Sequence, residues 1–134
     1  SNMEESLLIL FVLMCKHAVA DLAIQSFRKP STKRLYFNKG LHVHSLDHGI
    51  LTFAVLLFWI SPLSALCYAI FDYVAHWHID WTKSNILHKF KIKRLTPAFW
   101  RLQTLDQIGH YATYAFIVYL ITDPIFDLAL FVLA

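Results

Sequence analysis

Four apolar stretches of this chain each carry two metal-ligating or ionisable side chains at a four-residue spacing: His17 with Asp21, His44 with His48, His76 with Asp80, and Asp106 with His110. Residues four apart lie one above the other on a helix face, so each pair predicts a helix with one polar face. A carboxylate or imidazole inside an apolar segment is costly unless it meets partners. Four such helices satisfy one another by turning their polar faces into a common interior, as ligand-bearing bundles do. The expected fold class is therefore all-α, a polytopic membrane protein built as an antiparallel bundle of four transmembrane helices.

Composition agrees with a bilayer setting. The 134 residues are 57% hydrophobic with a mean hydropathy of +0.50, above ordinary globular composition, and the length predicts a single transmembrane domain over residues 1–134. Ser1 and Asn2 before Met3 read as the scar of an expression tag. Glu4 and Glu5 stand where a cleaved secretory signal needs basic residues, so the first helix is expected to remain in the mature chain. Cys15 and Cys67 both lie in apolar stretches and predict free thiols rather than a disulfide.

Net charge of +3 does not call for a nucleic acid. Apart from Lys16, every Lys and Arg falls between Arg28 and Lys39 or between Lys83 and Arg101. Two basic loops separated by apolar helices follow the positive-inside rule. Both loops are expected in the cytoplasm, with the Ser61-Pro62-Leu63-Ser64 turn and both termini across the inner (plasma) membrane. The lipid bilayer is then the partner, and oligomeric state is left open.

The helices are expected at about 6–27, 41–60, 64–83 and 103–122, each long enough to span. Arg28-Lys29-Pro30 ends the first, because proline disfavours helix in its predecessor. Asp123-Pro124 ends the fourth, leaving an apolar tail, Ile125 to Ala134, too short to span again. Between helices three and four, Ile86, Leu87, Phe90, Ile92, Leu95, Phe99 and Trp100 alternate with Lys89, Lys91, Lys93 and Arg94, which predicts a basic interfacial segment on the anionic leaflet. Trp59, Trp77, Trp81 and Trp100 sit near helix ends as interface anchors.

Counting helical rise from Arg28, Lys39, Lys83 and Arg101 puts all eight paired groups about 5–16 Å below the basic residues, in one slab of the cytoplasmic half. Imidazoles with carboxylates are the donor set of zinc, manganese or iron, and a divalent cation offsets the cost of buried carboxylates. His17, Asp21, His44, His48, His76, Asp80, Asp106 and His110 are thus candidate ligands for one or two divalent metal ions, some of the aspartates orienting histidines instead. Gln25, Asp72 and Gln107 extend the layer. Lys83 is expected either to neutralise Asp80 or, with Lys29, to hold an anionic substrate group. His42 and His78 lie two residues off the shared face, His88 is in the basic loop, and Lys16 lies deepest, about 18 Å in, with its partner open.

The chemistry this predicts is metal-dependent hydrolysis, near the cytoplasmic face, of an ester or phosphoester of an amphiphilic substrate. Asp80 or Asp106 would act as general base and Lys83 as the substrate's cationic grip. The alternatives are a diiron lipid oxidase or hydroxylase, and a non-enzymatic protein whose polar layer is interhelical glue or binds a partner. Four aspartates in the slab, Asp72 included, disfavour a haem pocket, and no polar track continues past Phe11, Leu57 or Tyr119 to make a conduit. With three glycines and no nucleophile elbow, nucleotide-dependent and acyl-enzyme chemistry are excluded.

The ordered set His17-Ala-Val-Ala-Asp21-Leu-Ala-Ile-Gln25, His44, His48, His76-Trp-His-Ile-Asp80-Trp-Thr-Lys83 and Asp106-Gln107-Ile-Gly-His110 resembles the bacterial and phage membrane family called domain of unknown function 3307. The resemblance implies a small polytopic membrane protein and no particular activity. A more distant pattern is similar to small bacterial inner-membrane proteins described as metal-dependent hydrolases, which implies hydrolysis by analogy.

Overall fold

A computed structural model describes residues 3–27 and 36–123, and no strand occurs among the described residues. Four helices account for most of them: α1, Met3–Ala18; α2, Lys39–Leu56; α3, Pro62–Lys89; and α4, Pro97–Thr122. The first continues without a break into a π-helical turn, Val19–Ile24, and a 3-10 turn, Gln25–Phe27.

Local chemistry explains the helix starts. Asn38, Ser61 and Thr96 each sit in extended backbone, and each side chain accepts a hydrogen bond from the backbone N–H three residues on. Such a cap satisfies one of the donors a helix start leaves orphaned, contributing about 0.5–2 kcal/mol. Pro62 and Pro97 follow as first helical residues, where a missing N–H costs nothing.

Those caps also move the expected boundaries. Helix α3 runs to Lys89 rather than 83, and α4 starts at Pro97 rather than 103, so the basic interfacial segment shrinks to residues 90–96 between helix ends. Nothing between Lys83 and Lys89 breaks a helix, whereas Thr96-Pro97 starts one. The connection turns through Lys91 and Leu95, whose φ values of 50° and 67° are left-handed. Helix α2 ends at Leu56, four residues short of the expected 60, and turns lead into the Ser61 cap. The tag scar, the Arg28-Lys29-Pro30 terminator and the apolar tail lie outside the described residues.

The helices close a ring, α2 packing on α3, α3 on α4, α4 on α1 and α1 on α2. Contacts such as Asp21 to His48, His42 to Tyr73 and His110 to Asp80 make neighbours antiparallel. Gly49 lets α2 approach α3 closely, since a Cβ there would stand 3.3 Å from both the Ala69 carbonyl oxygen and Tyr73 Cβ.

Inside the ring the two ends differ. One is apolar, with Ile9, Leu13, Leu56, Ala65, Tyr68, Tyr114, Ile117 and Val118 forming the buried cluster. The other, toward the basic segments, is polar. The outer surface is apolar on every helix, as Phe11, Ile50, Ile70 and Phe116 illustrate, all exposed. The Met3–Phe27 stretch is long and apolar enough to cross a membrane.

Candidate metal centre

All eight paired residues project into the same interior, and seven of them are buried, Asp21 being half-buried. The π-helical turn in the first helix widens the backbone at Asp21, a distortion that often marks functional sites. Asp21 Oδ1 there lies 2.8 Å from His48 Nε2 and 3.1 Å from His44 Nε2, while Oδ2 lies 3.1 Å from His17 Nε2. Asp80, from α3, lies 3.2 Å from His110 Nε2, 3.4 Å from His76 Nε2 and 3.7 Å from His44 Nε2. Three imidazoles stack across the centre, His48 on His76 at 3.6 Å and His76 on His110 at 3.9 Å between centroids.

Two donor groups result, one of Asp21, His44, His48 and His76, the other of His76, Asp80 and His110, each with its donor atoms within 4.8 Å of one another. Four ligands at zinc bond lengths stand about 3.3 Å apart around the ion. The pairs Asp21–His48 and Asp21–His44 in the first group, at 2.8 and 3.1 Å, and Asp80–His110 and Asp80–His76 in the second, at 3.2 and 3.4 Å, lie near that value. A second observation tests the fit. His76 is fully buried, yet its Nδ1 has no hydrogen-bond partner and its Nε2 has only the loose contact with Asp80, and His44 Nδ1 is likewise unpartnered. Buried unpaired polar atoms are rare and cost about 1–3 kcal/mol each. An ion bound at His76 removes part of that cost, so the residues fit a divalent cation.

The two remaining expected ligands stand beside these groups. His17 has both nitrogens engaged, Nδ1 with the Tyr114 hydroxyl at 2.7 Å and Nε2 with Gln107 Oε1 at 3.1 Å. Asp106 lies 3.3 Å from Lys83 Nζ and 3.4 Å from His110 Nε2, and its Oδ2 accepts from the Gln107 amide at 3.0 Å. Lys83, for which the sequence points to Asp80 as partner, thus reaches Asp106, and it also donates to Gln103 Oε1 at 3.3 Å. One turn of helix separates Lys83 from Asp80 along α3, whereas Asp106 faces Lys83 across the α3–α4 contact.

A cavity of about 360 Å³ opens over this layer. Its lining comes mainly from the two helices at the seam between α1 and α4. His17, Asp21, Gln25, Asp106 and Gln107 give it polar walls, and Ala18, Leu22 and Tyr111 an apolar side. Lys83 is the cation that lines it among the described residues.

Lys16 finds its partner below the layer, where it is buried and its Nζ pairs with Asp72 Oδ2 at 2.8 Å. Asp72 also accepts from the Thr52 hydroxyl. Thr52 and Tyr114 are additions to the expected set, although each follows a layer histidine by four residues, the same spacing that reveals the pairs. His42 and His78 belong to a separate aromatic cluster. His42 lies beside the Tyr73 hydroxyl and Tyr36 carbonyl, and His78 Nε2 2.8 Å from the Tyr36 hydroxyl. His88 is exposed.

Comparison with known proteins agrees with the family resemblance. A family model matches residues 9–133. The chain belongs to the family described as protein of unknown function (DUF3307). No curated protein and no solved structure matches this DUF3307 member.

Proposed function

We propose that this DUF3307 protein is a membrane-embedded, metal-dependent hydrolase acting near the basic end of its bundle on an ester or phosphoester of an amphiphilic molecule. The observation that carries the reading is the pair of donor groups meeting at His76, a buried imidazole whose Nδ1 has no partner, with Asp21, His44 and Asp80 of those groups lining a cavity. Exposed apolar side chains on all four helices, around a polar interior, support a four-span bundle in the inner membrane with both basic segments cytoplasmic.

Asp21, His44, His76, Asp80 and His110 would hold one or two divalent ions, of zinc, manganese or iron, with His48 beside them. Bound there, a divalent ion supplies an activated water and polarises the scissile group. Asp106 stands outside both donor groups yet faces the cavity, so it is the better general base than Asp80. Gln107 and Lys83 fix its carboxylate, and Lys83 holds a negatively charged oxygen of the substrate. The apolar side formed by Ala18, Leu22 and Tyr111 lets hydrocarbon stay in the bilayer while the headgroup enters between α1 and α4.

The test is hydrolysis of micellar phosphatidate and of a neutral diacylglycerol by detergent-purified protein, with and without added zinc, manganese or iron(II). Ion-dependent turnover of either, lost in His76→Ala and His110→Ala, supports the reading. Unchanged turnover in those variants rejects it.

A further inference from the structure

A lysine and an aspartate deep in an apolar bundle are expensive to bury, and replacing such a pair by apolar side chains is often neutral or stabilising. The Lys16–Asp72 pair therefore needs a reason to exist beyond holding helices together. Its geometry supplies one.

Lys16 Nζ makes three polar contacts: Asp72 Oδ2 at 2.8 Å, the His48 carbonyl oxygen at 3.3 Å and His48 Nδ1 at 3.1 Å. Two of the three go to one residue, so the amine grips His48 by both backbone and ring. Asp72 and Thr52 fix the amine from behind, since the Thr52 hydroxyl donates to the carboxylate oxygen that Lys16 uses. The face of the Tyr114 ring, 4.6 Å from Nζ, closes the remaining side. With Nδ1 held this way, the opposite nitrogen of His48, Nε2, is aimed at Asp21 Oδ1, 2.8 Å away, and its ring plane is set for stacking on His76.

We propose that Lys16, anchored by Asp72 and Thr52, is a positioning residue of the metal centre: it fixes the His48 ring and, through it, the Asp21 carboxylate. The proposal rests on the metal reading above. His48 is the layer histidine that Lys16 Nζ reaches by hydrogen bond, so the lysine acts on the ligand Asp21 through that ring. Lys16 carries donors only, so His48 Nδ1 accepts from it and the Nε2–H donates to Asp21 Oδ1; such outer partners of a metal ligand commonly govern metal affinity by about 10–100-fold, and here they start from a buried amine on a different helix. The arrangement also ties α1 to α2 and α3 at the depth of the site, so that the π-helical turn carrying Asp21 begins from a fixed point.

The experiment separates positioning from packing. Lys16→Met with Asp72→Leu removes both charges together and leaves similar volume. Thermal unfolding of the full chain in detergent and zinc affinity by chelator competition are measured on the same preparations, with cobalt(II) absorption as a report on ligand geometry. Expected is a melting temperature equal to or above wild type, with zinc binding about 10–100-fold weaker and an altered cobalt band. Thr52→Val, a milder change, should weaken zinc binding in the same direction without unfolding the protein. Wild-type zinc affinity and an unchanged cobalt band in a folded double variant would overturn the positioning role and leave the metal centre standing. Absence of zinc and cobalt binding in the wild type would overturn both.

Discussion

Replacing His76 by leucine should change stability little without metal and destabilise the protein with metal. His76 is 1% exposed, its Nδ1 lacks a hydrogen-bond partner and its Nε2 stands 3.4 Å from Asp80 Oδ2. An unpaired buried nitrogen costs about 1–3 kcal/mol, which an apolar side chain of similar volume recovers at Nδ1. Against this stand the stacking contacts with His48 and His110, at about 0.5–1.5 kcal/mol each. The two terms are of equal size, so the metal-free balance lies within about 2 kcal/mol of zero. With an ion present at 100 times its dissociation constant, the wild type gains about 2.7 kcal/mol from binding that the variant forfeits, so leucine is destabilising there. The assay is thermal unfolding in detergent micelles for both proteins, in chelator and in excess zinc. A shift of the same sign and size in both conditions would refute the reasoning, because it would mean that His76 has no ion to lose.

The other predictions concern the base and the bundle. Asp106→Asn should lower turnover on whichever ester is hydrolysed by about 100-fold or more while leaving bound metal unchanged, read by kinetics beside metal analysis. Gly49→Val drives a side chain into the Ala69 carbonyl and Tyr73 Cβ, both 3.3 Å from where its own Cβ would stand, and should cost about 1–3 kcal/mol in unfolding free energy. Gly109→Ala, whose Cβ would meet only the flexible Ile79 side chain at 3.4 Å or beyond, should instead be neutral or stabilising by up to about 1 kcal/mol. Thr96→Ala removes the cap of α4 and should cost about 0.5–2 kcal/mol in the same measurement.

Much of the candidate site is legible in the sequence because the i, i+4 rule survives folding. His17 with Asp21, His76 with Asp80, and Asp106 with His110 each come within ion-pair distance on their own helices. Which groups meet across helices is not legible, since it depends on rotation and register. Lys83 illustrates this, meeting Asp106 on α4, and Lys16 does so more sharply, meeting Asp72 fifty-six positions away. The π-helical turn at Asp21 is also hidden, because Val19–Ile24 contains no glycine or proline to announce it. The ends of α3 and α4 are obscured for a different reason: alternating basic and apolar residues suggest a surface segment and mask the Thr96-Pro97 cap signal that the chain carries.

Elemental mass spectrometry on detergent-purified protein, beside the double variant His44→Ala, Asp80→Ala, tests the central claim most directly. The account predicts zinc, manganese or iron at one or two ions per chain in the wild type, lost in the variant while the fold persists by circular dichroism. A folded wild type that holds no metal, even after reconstitution with each ion, would contradict it and leave the His/Asp layer as a structural network.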